Sequence, residues 1–387
     1  MENTKTLPLD GIRVVDFTQV MMGPSATQML GDLGADVIKV ENPKGGDLSR
    51  NSFGAKDEKG LNNPIFCSLN RNKRSLALDL KDPESREAVY SLIKTADVVV
   101  NNFRAGIMKK LGFDYETLKQ INPAIIYASG SGYGSEGPYV HKGGQDVIAQ
   151  AMSGVMSRRS DPSLPITIYA TPLCDYTAGM HLVQSIMAAL IARMKTGEGD
   201  CVEVSLYNSM IAMQMQEAAF QMYTGKEINW AEMPLTGVFE TSDGALVLVG
   251  AFKKNPLQDI SEVLGIEDLS ERFPELQSQR DAKPYLHERF GSEFAKNSTA
   301  YWIEKLEGKD LLCAPVKTLE ETLEDEQTRV NQMITSIDHP LNGPMRLVGS
   351  PIKFTNVDFR IRHNPPRIGE HNAEILRELG IETREES

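Results

Sequence analysis

Asp175 lies in the segment TPLCDYTAGMH, directly ahead of a long apolar run that ends near Met194. An aspartate in this place has two possible roles. Its side chain can accept backbone N–H groups at the start of a helix, which is a common use of Asp. A carboxylate can also serve as a nucleophile that forms a covalent intermediate. The spacing alone favours the helix cap.

The other reactive side chains show no pattern of a metal or disulfide site. Four cysteines are scattered along the chain, at Cys67, Cys174, Cys201 and Cys313, without CxxC or Cys/His ligand spacing. We therefore predict neither a metal site nor a disulfide framework. We expect Cys174, beside Asp175, to be a small buried hydrophobic residue, which is the more common state of a lone cysteine.

Nucleotide-binding motifs are incomplete. The first strand-to-helix turn, TQVMMGPS, holds one glycine where a GxGxxG turn would supply three, although Glu41 ends the second strand as a ribose-binding acid would. The segments GGD (45–47) and GSGYGSEG (130–137) lack the GK[ST] ending of a phosphate loop. These observations disfavour a nucleotide-dependent dehydrogenase or an NTPase.

The composition indicates an ordinary globular protein. The chain has 387 residues, of which 41% are hydrophobic, and a formal net charge of -12. That charge predicts no nucleic-acid partner. Polar residues interrupt the longest apolar run and the first residues hold no apolar stretch of a signal peptide, so we expect no membrane partner and a cytoplasmic location.

Strand and helix patterns alternate through the first half of the chain. Short β-branched runs such as IRVVDF (12–17) and ADVIKVE (35–41) flank segments with helical spacing. The alternation predicts an α/β fold with a mostly parallel sheet, whose ligands bind at the carboxyl ends of the strands. A polar linker at 224–234 leads to a predicted smaller domain of a hairpin and helices.

A series of segments, in order along nearly the whole chain, carries a family likeness. They are LDGIRVVDFTQVMMGPSATQMLGDLGADVIKVENPKGGD, LNRNKRSLALDLK, ADVVVNNFRAGIMKKLGFDYETLKQINPAIIYASGSGYGSEGPY, AQAMSG, Asp175, HPLNGPMRLVGSPIKF and GEH. The ordered set resembles the family III CoA-transferases. The resemblance implies a Rossmann-like large domain at 1–222, a smaller inserted α+β domain at 223–325, a segment at 326–387 that returns to the large domain, and an interlocked, ring-like homodimer.

The resemblance also implies a reaction. Family III enzymes move CoA from an acyl-CoA thioester to a free carboxylic acid, and the likeness makes Asp175 the nucleophile that forms an acyl anhydride and then an aspartyl-CoA thioester. A carboxylate near its reference pKa of about 3.9 is ionised at neutral pH and needs no separate base. The acyl-CoA and the acid are substrates, and no resident cofactor is implied.

Further site residues are expected, some of them from positions that match the family and the others from the type of their side chains. The residues expected to contact CoA are Gln19, Val20, Asn102 and Phe103, together with the cations Lys73, Arg74 and Lys110, which could meet its phosphates. Those expected to line the substrate pocket are Met21, Tyr139, Gln145 and Phe252. Each cation can equally be a solvated surface charge.

Two alternatives remain open. An α-methylacyl-CoA racemase shares this fold, but racemases carry GHD where this chain has GGQD, and the amide of Gln145 cannot transfer a proton near neutral pH. A catalytically silent CoA-ester-binding protein would have no need of Asp175. Within the transferases, Met21 and Asn42 replace a glutamine and an arginine of the formyl-CoA:oxalate enzymes, which argues against oxalate as the substrate.

Overall fold

A computed structural model describes residues 6–54, 63–159, 161 and 163–381 of the chain. Its largest sheet, among these residues, has six strands, and every neighbouring pair is parallel. The strands are β1 (Arg13–Asp16), β2 (Asp36–Glu41), β3 (Lys73–Ala77), β4 (Val98–Asn101), β5 (Ile126–Ser131) and β6 (Asp200–Ser205). Their order is β3-β2-β1-β4-β5-β6. The predicted α/β class with a parallel sheet is confirmed.

Helices connect these strands and cover both faces of the sheet. They are α1 (Met22–Asp32), α2 (Pro64–Leu69), α3 (Pro83–Lys94), α4 (Ile107–Leu111), α5 (Tyr115–Ile121), α6 (Asp146–Met152), α7 (Leu173–Thr196) and α8 (Leu206–Met213). On one face, Leu30 of α1 and Ile186 of α7 join a buried apolar cluster with the strands. On the other, Leu92 of α3 and Leu118 of α5 do the same. Burial on both faces explains why β4 begins with three consecutive valines.

Gly179 allows α7 to pack closely against α1. A Cβ atom at Gly179 would lie 2.5 Å from the Ser25 Oγ atom and 2.7 Å from the Met22 carbonyl oxygen. Both contacts are closer than real Cβ atoms show, so only glycine fits there without displacement. Asp175 lies four residues earlier, on the same face of α7. The close packing therefore fixes the position from which Asp175 projects.

The described chain divides into two compact units. The larger comprises the described parts of Met1–Met156, Ile168–Met215 and Arg329–Ser387, and the smaller comprises Ser157–Thr167 and Gln216–Thr328. The bounds predicted from the sequence did not place 157–167 with the smaller unit. Hydrogen bonds explain this assignment, because Arg158 donates to the Ile228 carbonyl oxygen and the Arg159 carbonyl oxygen accepts from the Asn229 side chain.

The smaller unit contains a three-stranded antiparallel sheet in the order β7-β8-β9. The elements from its start onward are α9 (Met215–Thr224), β7 (Thr236–Glu240), β8 (Ala245–Val249), α10 (Pro256–Leu264), α11 (Leu269–Arg272), α12 (Leu276–Asp281), α13 (Lys283–Phe294), α14 (Thr299–Glu307), β9 (Leu312–Pro315) and α15 (Leu319–Glu324). Phe239, Phe290, Phe294 and Trp302 form part of its core. This unit has a hydrophobic core of its own.

The last segment belongs to the larger unit. Helix α16 (Glu326–Val330) contains the boundary at Thr328 and Arg329, and the larger unit continues with β10 (Ile334–His339), β11 (Gly343–Val348) and α17 (Asn372–Glu378). Strands β10 and β11 form an antiparallel hairpin. Helix α17 lies along β3, where Glu374 and Glu378 form ion pairs with Arg74. Within the described ranges, no helix is both long and apolar enough to cross a membrane.

Candidate active site

A pocket of about 260 Å³ lies at the carboxyl ends of β1, β4 and β5. The order of the strands reverses between β1 and β4, which is where open parallel sheets bind ligands. The residues that line the pocket are Gln19, Val20, Met21, Met22, Leu48, Asn102, Phe103, Arg104, Ala105, Gly130, Ser131, Gly132, Tyr133, Gly134, Val140, Lys142, Gly144, Gln145, Asp175 and Leu206. Seven of the predicted site residues are among them.

Asp175 is the third residue of α7 and lines this pocket. Its side chain is half-buried. Within the described part of the chain, its carboxylate has no hydrogen-bond or ion-pair partner. Pro172 occupies the N-cap position, and no side-chain cap is made there. Asp175 is therefore not the helix cap that its spacing alone suggested.

Asp146, the first residue of α6, takes over the capping of α7. Its Oδ2 atom accepts the backbone N–H groups of Cys174 at 2.7 Å and of Asp175 at 3.0 Å. Its Oδ1 atom accepts from the Gln150 side chain at 2.6 Å. A buried carboxylate is thus held against the positive end of the helix. The sequence analysis missed Asp146, although it directly follows Gln145 in the GGQD segment.

The surroundings of Asp175 change its acidity. Burial, and secondly the negative charge of Asp146, raise its pKa from 3.8 to about 6. The expectation of an unperturbed carboxylate is therefore wrong. About nine-tenths of such a group is still ionised at about pH 7, since one pH unit is a factor of ten. Asp175 therefore remains mostly ionised at neutral pH, as a carboxylate that is more basic than an ordinary aspartate.

Cys174 is buried in an apolar cluster with Ala178 and Met210. Burial first, and then the charges of Asp146 and Asp175, raise the pKa of its thiol to about 12. Because the thiolate is the reactive form, this cysteine is inert at neutral pH. The expectation of a packing role for Cys174 agrees with its surroundings.

Asn102 holds the backbone of Gln19 from both sides. Its Oδ1 atom accepts the Gln19 N–H, and its Nδ2 atom donates to the Gln19 carbonyl oxygen, both at 2.8 Å. The two residues follow β1 and β4, whose carboxyl ends lie side by side. Both line the pocket, as does Phe103. The side-chain amide of Asn102 is thus engaged in shaping the pocket wall.

Lys73 and Arg74 have other partners. The ammonium group of Lys73 is fully buried, with Asp16 at 3.1 Å, and burial lowers its pKa to about 8. Arg74 pairs with Asp36 at 2.7 Å and with Glu378 at 2.6 Å. Neither cation lines the pocket. Because carboxylates already pair with both cations, neither Lys73 nor Arg74 belongs to the proposed site.

The remaining predicted residues are dispersed. Gln145 lines the pocket just before α6. Tyr139 does not line the pocket, but its ring lies 5.6 Å from that of Tyr133, which does. Lys110 is exposed on α4 and is not a lining residue. Phe252 belongs to the smaller unit, where its side chain is exposed.

Two basic residues of the pocket were not predicted. Arg104 and Lys142 are exposed lining residues, and the guanidinium of Arg104 has no carboxylate partner among the described residues. Arg104 directly follows the NNF motif at the end of β4, which was a usable signal. These cations can attract a phosphate or a carboxylate.

Paired glycines form another wall of the pocket. A Cβ atom on Gly132 would lie 2.5 Å from the Gly144 Cα atom, and the reverse distance is 2.3 Å. The two backbones therefore touch directly. No group of three or more His, Cys, Asp or Glu side chains among the described residues is placed to hold a metal ion.

Comparisons with known proteins agree with this geometry. A family model described as CoA-transferase family III matches residues 9–372. The chain is 34% identical to a succinyl-CoA:glutarate CoA-transferase of Mus musculus, covering 96% of this chain and 86% of that protein. It is 35% identical to a succinyl-CoA:mesaconate CoA-transferase of Haloarcula hispanica, covering 97% of each.

A solved structure shows the same fold. The crystal structure of a CAIB/BAIF family protein from Brucella suis superposes with a TM-score of 0.86 at 31% identity, covering 97% of this chain and 100% of that one. The resemblance noted in the sequence is thereby confirmed, and the chain belongs to CoA-transferase family III.

Proposed function

We propose that this family III CoA-transferase moves CoA from an acyl-CoA to a free carboxylic acid through covalent intermediates on Asp175. The observation that carries the proposal is the unpaired, half-buried carboxylate of Asp175 in the pocket at the edge of the sheet. Its raised pKa adds basicity without loss of the ionised form at neutral pH. Among the residues that the structure describes, no other carboxylate lines that pocket.

The proposed reaction proceeds in four displacements. A carboxylate oxygen of Asp175 attacks the thioester carbon and the C–S bond breaks. The CoA thiolate is released, and a mixed anhydride of Asp175 and the donor acid remains on the enzyme. The thiolate then attacks the aspartyl carbon and releases the donor acid, which gives an aspartyl-CoA thioester. The acceptor carboxylate attacks that thioester, forming a second anhydride and freeing the thiolate again. The thiolate finally attacks the acceptor's acyl carbon and restores Asp175.

This sequence needs no general base, because each attacking group is already an anion. No proton is gained or lost over the cycle. The oxyanions that form transiently need hydrogen-bond donors. The amides of Cys174 and Asp175 are already bonded to Asp146, so the donors come from other groups of the pocket.

Related enzymes indicate where the substrate search begins. Both transferases named above use succinyl-CoA, with glutarate or mesaconate as the second acid. We infer a dicarboxylic acid for this chain as well, because the pocket that holds Asp175 also presents Arg104 and Lys142. The homodimer and the cytoplasmic location stay predictions.

Mass spectrometry tests the covalent step. The protein is mixed with succinyl-, acetyl-, propionyl- or formyl-CoA, hydroxylamine is added, and the peptides are analysed for a hydroxamate. We expect the label on Asp175, with none in Asp175→Asn. Asp82→Asn is the control, since Asp82 caps α3 and does not line the pocket; it should be labelled like the wild type.

The other outcomes discriminate between functions. Transfer without any label on Asp175 would contradict the covalent mechanism. Deuterium exchange at the α-carbon of a branched acyl-CoA, without transfer, would indicate the racemase instead, although Gln145 lines the pocket where a proton-transfer histidine is needed. Binding of acyl-CoA with neither reaction would indicate a silent binding protein.

A further inference from the structure

Side chains from distant parts of the chain hold the backbone of residues 18–20, the loop between β1 and α1. The ammonium group of Lys39 donates to the carbonyl oxygen of Thr18, the first of these residues, at 2.6 Å. Asn102 brackets the middle residue, as described above. Asp47 accepts the N–H of the third residue at 3.0 Å. The loop thus takes its shape from side-chain contacts.

Val20, the last residue of this loop, has a strained backbone. Its φ angle is 68°, in the left-handed region. A β-branched residue rarely adopts this conformation, because its Cβ substituents crowd the backbone. Such strain persists only where the surroundings impose it, and it gathers at functional sites. Val20 lines the pocket that holds Asp175, with a side chain that is 46% exposed.

The group that constrains Val20 is itself firmly held. Asp47 is fully buried and pairs with Lys39 at 2.9 Å, and both side chains are almost inaccessible. Its Oδ1 atom also accepts the backbone N–H of Ser49 at 2.9 Å and the Ser49 hydroxyl at 2.8 Å. The carboxylate therefore has a single well-defined position behind the loop. Asp47 does not itself line the pocket.

We propose that Asp47 is a positioning residue for the CoA-ester site: with its charge balanced by Lys39, it keeps Val20 in the left-handed conformation and so holds the wall of the Asp175 pocket. The inference rests on the proposed function for the identity of the ligand. Loss of the Asp47 contact lets Val20 relax to an ordinary backbone conformation. The binding-competent conformation of the loop is then a minor state. The apparent affinity for the CoA ester falls in proportion to the fraction of molecules in that state.

A double-mutant cycle tests this role through its dependence on Val20. Asp47→Asn, Val20→Gly and the double variant are compared with the wild type, by the Kd of free coenzyme A and by KM and kcat for succinyl-CoA. Glycine adopts positive φ without strain. We expect Asp47→Asn to raise Kd and KM about tenfold when residue 20 is valine, and less than about threefold when it is glycine. The value of kcat should change less than KM.

A matched variant controls for the loss of a buried ion pair. Asp32 is also buried and pairs with Arg71 at 2.6 Å, but neither residue lines the pocket. Asp32→Asn should lower the melting temperature and leave the Kd of coenzyme A unchanged. If Asp47→Asn does not fold, Asp47→Glu displaces the carboxylate while keeping its charge and carries the same cycle.

Two results would overturn the inference. One is an equal effect of the Asp47 variant beside valine and beside glycine. The other is an equal rise in Kd from Asp32→Asn. The Kd of coenzyme A needs no turnover, so a protein that shows the expected coupling but transfers no CoA would refute the proposed function and leave the role of Asp47 standing.

Discussion

Replacing Asp175 by asparagine should abolish transfer and at the same time stabilise the protein at neutral pH. The folded state raises the pKa of Asp175 from 3.8 to about 6, mainly by burial. A pKa change of this size corresponds to about 3 kcal/mol of folding free energy if it is wholly expressed. Because the side chain is partly exposed, we expect a gain of about 1–2 kcal/mol from removing the charge.

The pH dependence of this gain has a defined sign. A folded pKa above the unfolded one means that the fold favours the protonated form of Asp175. That contribution is complete below about pH 4 and is lost as the pH rises through about 6. The neutral asparagine keeps it at every pH. The advantage of the variant should therefore grow between about pH 4 and pH 7 and then level off.

Thermal unfolding of both proteins across this pH range measures the effect, beside an assay of CoA transfer. Asp82→Asn is again the control. The fold lowers the pKa of this exposed cap residue and so favours its charged form, and removing that charge should not stabilise the protein. Equal melting temperatures of Asp175→Asn and wild type at about pH 7 would refute the argument from burial. An advantage that is the same at about pH 4 would refute the assignment to ionisation.

Three further outcomes are expected. The rate of CoA transfer by the wild type should fall about tenfold for each pH unit below 6. Asp146→Asn should move this fall in rate to lower pH, because it removes a charge that raises the pKa of Asp175. An unchanged pH profile would contradict the electrostatic effect of Asp146 on Asp175. Gly179→Val should lower both kcat and stability, as its Cβ would meet α1 at 2.5 Å, and a crystal structure would show α7 displaced. Gly132→Ala should raise the KM for acyl-CoA by about tenfold with the fold retained, because it separates the wall at Gly144; unchanged kinetics would show that the contact is dispensable.

Regular elements were predictable because their signals are local. Helix α3 (Pro83–Lys94), for example, has Asp82 as its cap and Pro83 at its first position, and both residues are local start signals. The β-branched runs of β1 and β2 identified two strands of the parallel sheet. The segments that resemble family III CoA-transferases could also be recognised in the sequence. They indicated a catalytic role for Asp175, whereas its spacing alone favoured a helix cap.

The environment of those residues depended on tertiary structure. Asp146 acts on α7 across 28 residues of chain, and Lys73 is enclosed by a carboxylate 57 residues away. No local pattern reports such contacts, so Lys73, expected to meet a CoA phosphate or the solvent, was found in the core. The left-handed backbone of Val20 likewise depends on Asp47 and not on valine's own preference. The sequence by itself determined the family, the sheet and the candidate nucleophile, because periodicity and motifs are local properties; burial, charge and strain at the site were decided only when distant segments packed together.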